Sequence, residues 1–348
     1  QPRGVIALDQ AAIRRLLAVL GPLTVAGLPD PVTADNVIQT LRGGKDVTQC
    51  GSLDPEQRKN CKTYLRPLAD ALLEKLRSGG GLSGEALARA ALDLLAERHV
   101  LVQIDQPDVE KLLRAQGWNG ALMPGSGDFL LAVDTNMGFN KANAVVRQEL
   151  AYEVDLTRSD APTARLSVTH RNSAAPGAPC KHGPDYGSGV YEDIIHRCYW
   201  DYLRVYTRAD TRLTGAAPHA VPGEWLLRGE TVPAQVDELE QDMFSGWVTG
   251  VRAFGTLLVV PPGESLVTTF EFALSETTLQ RAADGAWVYA LHIQKQPGTA
   301  AVPLAVRVRL PAGMRVISAL PAGKIAEGEW QADLTLLTDV EIRLVFGP

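Results

Sequence analysis

The chain has 348 residues and a mass of 37.5 kDa, enough for two or three domains of ordinary size. Hydrophobic residues make up 45% and charged residues 21%, which excludes a disordered or collagen-like chain. The net charge of -6 argues against nucleic acid as a partner, and no run reaches the ~18 apolar residues that a membrane-spanning helix needs.

The first third reads as helical. Asp9 is placed to cap a helix whose Ile13, Leu16, Leu17 and Leu20 form one apolar stripe, and Gly21-Pro22 ends it. Residues 23–25 read as a short strand. Thr33 precedes a second helix through Val37, Ile38 and Leu41, stopped by Gly43-Gly44. Asp54-Pro55 opens a third, with Pro67 predicting a kink or break. Ser83 caps a fourth through Leu87, Leu94 and Leu95. A strand over 99–104 and a short helix over 107–115 follow. The opening residues 1–9 read as a strand entering in mid-domain, with no signal peptide ahead of it.

After residue 127 the period changes to two. Phe129 to Val133 is a compact strand. Leu150, Tyr152, Val154 and Leu156 alternate with Ala151, Glu153, Asp155 and Thr157, and after a turn Ala164, Leu166, Val168 and His170 alternate again, predicting a hairpin. Residues 172–190 read as an exposed loop, 199–207 as an aromatic strand, and 209–245 as a connecting segment without a clear period. Seven strand patterns separated by turn signals fill the last hundred residues. The expectation is an α+β multidomain protein: a helix-rich α/β domain over 1–117, a β-rich middle domain over 118–246 and an immunoglobulin-like β-sandwich over 247–348.

The four cysteines form two local pairs, Cys50/Cys61 and Cys180/Cys198. Each brackets a polar loop that a disulfide would stabilise by roughly 3 kcal/mol. Two disulfides predict an oxidising, extracytoplasmic compartment. Cys180-Lys181-His182 and His196-Arg197-Cys198 also mirror each other as a possible zinc set. The spacing is not the usual zinc knuckle, so a disulfide is expected and no metal is assigned.

No nucleophile elbow, Walker loop, dinucleotide fingerprint or zinc-protease helix is present. Asp134, Asn136 and Asn140 alternate around Gly138 as in a calcium loop, but no closing Glu follows, and a tight turn built on Asn and Asp side chains is expected. Arg42, Lys45, Arg58, Lys59 and Lys62 gather around the second and third helices, as a solvated basic face or an anion site. Tyr186, Tyr191, Tyr199, Trp200, Tyr202 and Tyr206 make an aromatic stretch, read as strand packing or as a sugar-stacking surface.

Several of these runs together resemble a bacterial group, the domain of unknown function 4012 family. They are Gly117-Trp118-Asn119-Gly120-Ala121-Leu122, the segment from Asp128 to Asn136, Asn140-Lys141-Ala142-Asn143, and Gln294-Lys295-Gln296-Pro297-Gly298-Thr299. The opening Gly4-Val5-Ile6-Ala7-Leu8-Asp9 with Gly21-Pro22 resembles it too. The resemblance implies a cell-surface protein held by an N-terminal membrane anchor that lies outside this chain. The N-terminal part of the family is similar to the LytR-CpsA-Psr enzymes, which move glycopolymers from a polyprenyl-pyrophosphate carrier to the cell wall. Arg42, Asp54 and Arg58 match that pattern loosely, but Gly43 and Gly44 stand where a second Arg belongs, and the earlier half of such a catalytic domain is missing.

Two functions are open. The first, motivated by the paired cysteines, the missing catalytic motifs and the tandem β regions, is a non-catalytic, extracytoplasmic binding or structural module without a cofactor, its partner a cell-wall or surface glycopolymer or another envelope protein. The second is a polyprenyl-pyrophosphate-dependent glycopolymer transferase. In it Arg42, Arg58 and Lys59 would clamp the pyrophosphate, and Asp54 would hold a divalent cation or act as base.

Overall fold

The computed structural model describes residues 3–43, 65–78, 83–183, 191–239 and 250–348. They fall into two units, the first holding residues up to 121 together with 191–194, the second holding the rest.

In the first unit, β1 (Gly4–Leu8) pairs antiparallel with β2 (Val100–Ile104). Helix α1 (Gln10–Leu20) begins where the sequence places it, because Asp9 Oδ1 accepts from the Ala12 N–H at 2.8 Å. It ends at Gly21, whose φ of 77° a side chain would strain. Thr33 and Asn36 cap α2 (Val37–Gly43) reciprocally, each side-chain oxygen taking the other's N–H. Then come α3 (Leu65–Ser78), α4 (Gly84–Ala96), capped by Ser83, and α5 (Pro107–Ala115), with proline in its first turn. Leu16, Leu17, Leu20, Val37, Leu68, Leu72 and Leu94 close one core, each such burial contributing roughly 1.5–3 kcal/mol.

Helix α3 as described runs from Leu65 past Pro67, which lies near its start, while the helix opening expected at Asp54-Pro55 lies outside the described residues. One expectation fails here. The segment 23–25 makes only a single bridge, Leu23 to Val32, while Leu23 and Val25 join the helical core. Among the described residues, no helix is long and apolar enough to cross a membrane.

The second unit is a sandwich of two sheets. Its strands are β3 (Asp128–Val133), β4 (Val146–Asp155), β5 (Thr163–Asn172), β6 (Tyr199–Arg208), β7 (Arg212–Ala217), β8 (Asp237–Leu239), β9 (Val251–Val260) and β10 (Ser265–Ala273). Then follow β11 (Leu279–Arg281), β12 (Trp287–Ile293), β13 (Val302–Arg309), β14 (Arg315–Leu320), β15 (Lys324–Ala326), β16 (Glu329–Leu336) and β17 (Val340–Gly347). One sheet runs β15-β16-β13-β4-β5-β10-β7, the other β14-β17-β12-β3-β6-β9-β8, with β11 on the same edge of β12 as β3. The β4–β5 hairpin forms in the expected register, Leu150 opposite Val168 and Tyr152 opposite Leu166.

The expected boundary at 246/247 does not separate two domains. It falls between β8 and β9, which are neighbours in one sheet. Nor do the last hundred residues close as an immunoglobulin-like sandwich of their own. β10 pairs with β5, β13 lies parallel to β4, β12 lies parallel to β3, and β9 pairs with β6. Neither half covers its apolar face alone. Tyr152 and Leu166 from the earlier strands share one core with Phe254, Phe272, Leu304, Trp330 and Leu344 from the later ones. Strands β7 and β8 lie in the segment expected to lack a period, and both are sheet edges, where one partner suffices and the alternation is weak.

Candidate functional site

Strand alternation decides which side chains point between the sheets. On β5 the inward phase is Ala164, Leu166, Val168 and His170, and on β6 it is Tyr199, Asp201, Leu203 and Val205. His170 and Asp201 are thus driven into the sandwich core by their positions, both with 0% exposure. Asp134 follows β3 directly and is half-buried at the same place.

The three side chains meet. His170 Nε2 lies 3.0 Å from Asp134 Oδ1 and 4.0 Å from Asp201 Oδ2. Among the described residues this is the one group of three metal-ligating side chains with ligand atoms all within 4.8 Å of one another. The two carboxylates are held from behind. Asp201 Oδ1 accepts from the Thr135 N–H at 2.6 Å and the Tyr199 hydroxyl at 3.1 Å, while Gln148 Nε2 donates to Asp134 Oδ1 at 2.7 Å. Gln296 brackets the Asp134 backbone, its Oε1 accepting from the Asp134 N–H at 2.9 Å and its Nε2 donating to the Asp134 carbonyl at 3.0 Å. The buried Asp201 Oδ2 and His170 Nδ1 have no hydrogen-bond partner among the described residues. Burial, and then the facing Asp134 carboxylate, push the Asp201 carboxyl well above the ordinary range.

Two other buried polar clusters lack such openings. Asp128 Oδ2 accepts from the Tyr152 and Tyr289 hydroxyls at 2.9 and 2.8 Å, and its Oδ1 from the Phe129 N–H at 2.8 Å. Burial raises its pKa to about 6, against the pull of those bonds. In the helical unit, Asp9 bonds His99 Nδ1 at 2.5 Å, and Arg15 grips both oxygens of Glu97 at 2.8 and 2.9 Å. Both arrangements are chemically closed and tie elements together.

Of the residues singled out in the sequence, Arg42 lies in the last turn of α2 with its guanidinium over the Tyr191 ring, 5.5 Å from the centroid. Asp54, Arg58 and Lys59, and the pair Cys50 and Cys61, lie outside the described residues. Cys180 and Cys198 form a disulfide. Their sulfurs are therefore not zinc ligands, and His182 instead sits between the Phe139 and Trp200 rings and bonds the Met137 carbonyl.

The segment from Asp134 to Asn140 is the expected turn. Asn136 Oδ1 accepts from the Gly138 N–H, Asn140 Oδ1 accepts from the Ala142 N–H, and Asn140 Nδ2 donates to the Cys198 carbonyl. A Cβ on Gly138 would lie 2.9 Å from Trp200, so only glycine fits there. In the aromatic stretch Tyr199 and Trp200 are buried, which removes them as stacking surfaces. Sequence reasoning noticed Asp134 but grouped it with its loop neighbours, and it missed His170 and Asp201 as partners. The available signal was a titratable residue on the inward phase of each of two strands.

No protein-family model matches the chain, and no curated protein matches it. Among solved structures, a candidate nutrient-binding protein from Legionella pneumophila is similar over 64% of this chain and 71% of its own, at 9% identity and a TM-score of 0.35. An M1 zinc metallopeptidase from Deinococcus radiodurans is similar over 59% of this chain and 42% of its own, at 12% identity and a TM-score of 0.26.

Proposed function

We propose that the chain is an extracytoplasmic, non-catalytic module of the bacterial cell envelope, which binds or spaces a surface glycopolymer or another envelope protein. One observation carries this reading: the Cys180–Cys198 disulfide. Such bonds persist in oxidising compartments and are rare where glutathione keeps thiols reduced. The resemblance to the domain of unknown function 4012 family supports it, since three of the quoted runs converge in the sandwich. The run from Asp128 to Asn136 supplies Asp134, Asn140 supports the turn beside it, and Gln296 clamps its backbone. On this reading the helical unit corresponds to the part of the family similar to the LytR-CpsA-Psr enzymes.

The test places the protein relative to the membrane. Protease added to intact cells is expected to digest it, and mass spectrometry of unreduced material is expected to find Cys180 bridged to Cys198. Protection in intact cells together with free thiols at both positions would overturn the reading. Transfer of a glycopolymer from a polyprenyl-pyrophosphate carrier by the purified chain would replace it with the transferase.

A further inference from the structure

The cluster between the two sheets differs from the other buried polar groups in one respect. Asp9, Glu97 and Asp128 have a donor at every carboxylate oxygen. Asp201 does not: its Oδ2 is fully buried, accepts no hydrogen bond among the described residues, and faces His170 Nε2, 4.0 Å away, and the Asp134 carboxylate. An orphaned buried carboxylate oxygen is costly unless something completes it.

We propose that Asp134 Oδ1, His170 Nε2 and Asp201 Oδ2 bind one first-row divalent cation, Zn²⁺ or Mn²⁺, between the sheets. This does not depend on where the protein resides or what it docks to.

The geometry suits such an ion. Bonds of about 2.0–2.2 Å put the ligand atoms of one ion roughly 3–3.5 Å apart. The pair His170–Asp134 is already at 3.0 Å, and the pair His170–Asp201 at 4.0 Å needs a small closure. The His170 ring supplies it, because its Nδ1 carries no hydrogen bond, whereas Thr135 and Tyr199 fix Asp201; Asp134, with its side chain 18% exposed, forms the open side. Three protein ligands leave a further position for water on the open side, at Asp134.

The donor set narrows the ion. Imidazole suits zinc and its neighbours, and carboxylates suit manganese, magnesium and calcium, so one nitrogen with two oxygens fits zinc or manganese. Calcium takes six to eight oxygens, more than this set offers. A dication also compensates two carboxylates that otherwise face each other out of water. Supporting bonds are in place, from Gln148 to Asp134 and from Tyr199 to Asp201. On binding, Nε2 must present its lone pair to the ion, so a proton it holds toward Asp134 leaves to solvent or moves to Nδ1.

The rival occupant is a proton shared by Asp134 and Asp201, and the test separates the two. The full chain, stripped with EDTA, is titrated calorimetrically with Zn²⁺ and separately with Mn²⁺. One ion per chain is expected, with affinity falling about 100-fold or more in Asp201→Asn and His170→Gln. Affinity is expected to be unchanged in Glu153→Gln, an exposed position on the outer face of the sandwich.

If the core variants do not fold, the unmutated chain decides. Its melting temperature is expected to rise with either ion and to return with EDTA. The proposal is overturned by an absence of stoichiometric binding, by a folded Asp201→Asn variant that binds as tightly, or by a melting temperature that responds to acid but to neither ion.

Discussion

His170 Nε2 and Asp201 Oδ2 lie 4.0 Å apart although one belongs to β5 and the other to β6, strands of different sheets. The two layers therefore meet at this end of the sandwich through polar atoms, within a core built mainly from Leu, Val, Phe and Tyr. Without a cation the arrangement costs free energy, because two carboxylates face each other across a buried imidazole.

Asp201→Asn relieves that cost. The amide oxygen still accepts from Thr135 and Tyr199, and the new N–H groups face Asp134. In EDTA at neutral pH the variant is expected to be more stable than the parent by about 1–2 kcal/mol in urea unfolding. In excess Zn²⁺ the order is expected to reverse, since only the parent gains from binding. A variant that is less stable in both conditions would contradict this.

Asp128 sets a pH dependence. Its carboxyl titrates near 6 in the folded chain, against an ordinary value of 3.8. Below the lower value both states hold the proton and the contribution is complete. As pH rises through about 6 the unfolded chain has already released its proton and the folded chain resists doing so, so stability is lost. The loss is on the order of 3 kcal/mol. Chemical unfolding between pH 4 and 7 is expected to show this fall in the parent and a flatter profile in Asp128→Asn. Parallel profiles would remove Asp128 as the source.

The Cys180–Cys198 bond closes a loop with a sequence separation of 18. Replacing both residues by alanine is expected to cost about 3 kcal/mol. The cost falls on the sandwich, where Cys198 packs with Trp200, Val221 and Val259. Thermal unfolding with and without reductant measures the same loss in the unmutated chain.

Asp9 does two jobs in the helical unit, capping α1 and bonding His99. Burial raises its pKa, but the His99 and Ala12 bonds outweigh that and hold it below the ordinary range. Asp9→Ala is expected to destabilise by about 1–2 kcal/mol. Asp9→Asn, which keeps an acceptor for Ala12, is expected to recover part of it. Equal losses in the two variants would argue against the cap.

The capped helices α1 and α4 were legible because their caps and stripes are local: Asp9, Ser83 and Gly21 act within a few residues of themselves. The β4–β5 hairpin was legible for the same reason, since alternation and a short turn fix its register. Domain organisation was not. Whether β13 lies beside β16 alone or also beside β4 depends on a parallel pairing across some 150 residues of chain, which no local period reveals. The site suffered likewise. Asp134, His170 and Asp201 are separated in sequence and meet only because two sheets stack, so each looked ordinary alone.

The most direct test of the buried cluster is anomalous X-ray scattering from crystals of the full chain soaked in Zn²⁺ or Mn²⁺. The account predicts one strong peak within bonding distance of Asp134 Oδ1, His170 Nε2 and Asp201 Oδ2. Peaks at surface histidines alone, with none among these three side chains, would contradict it.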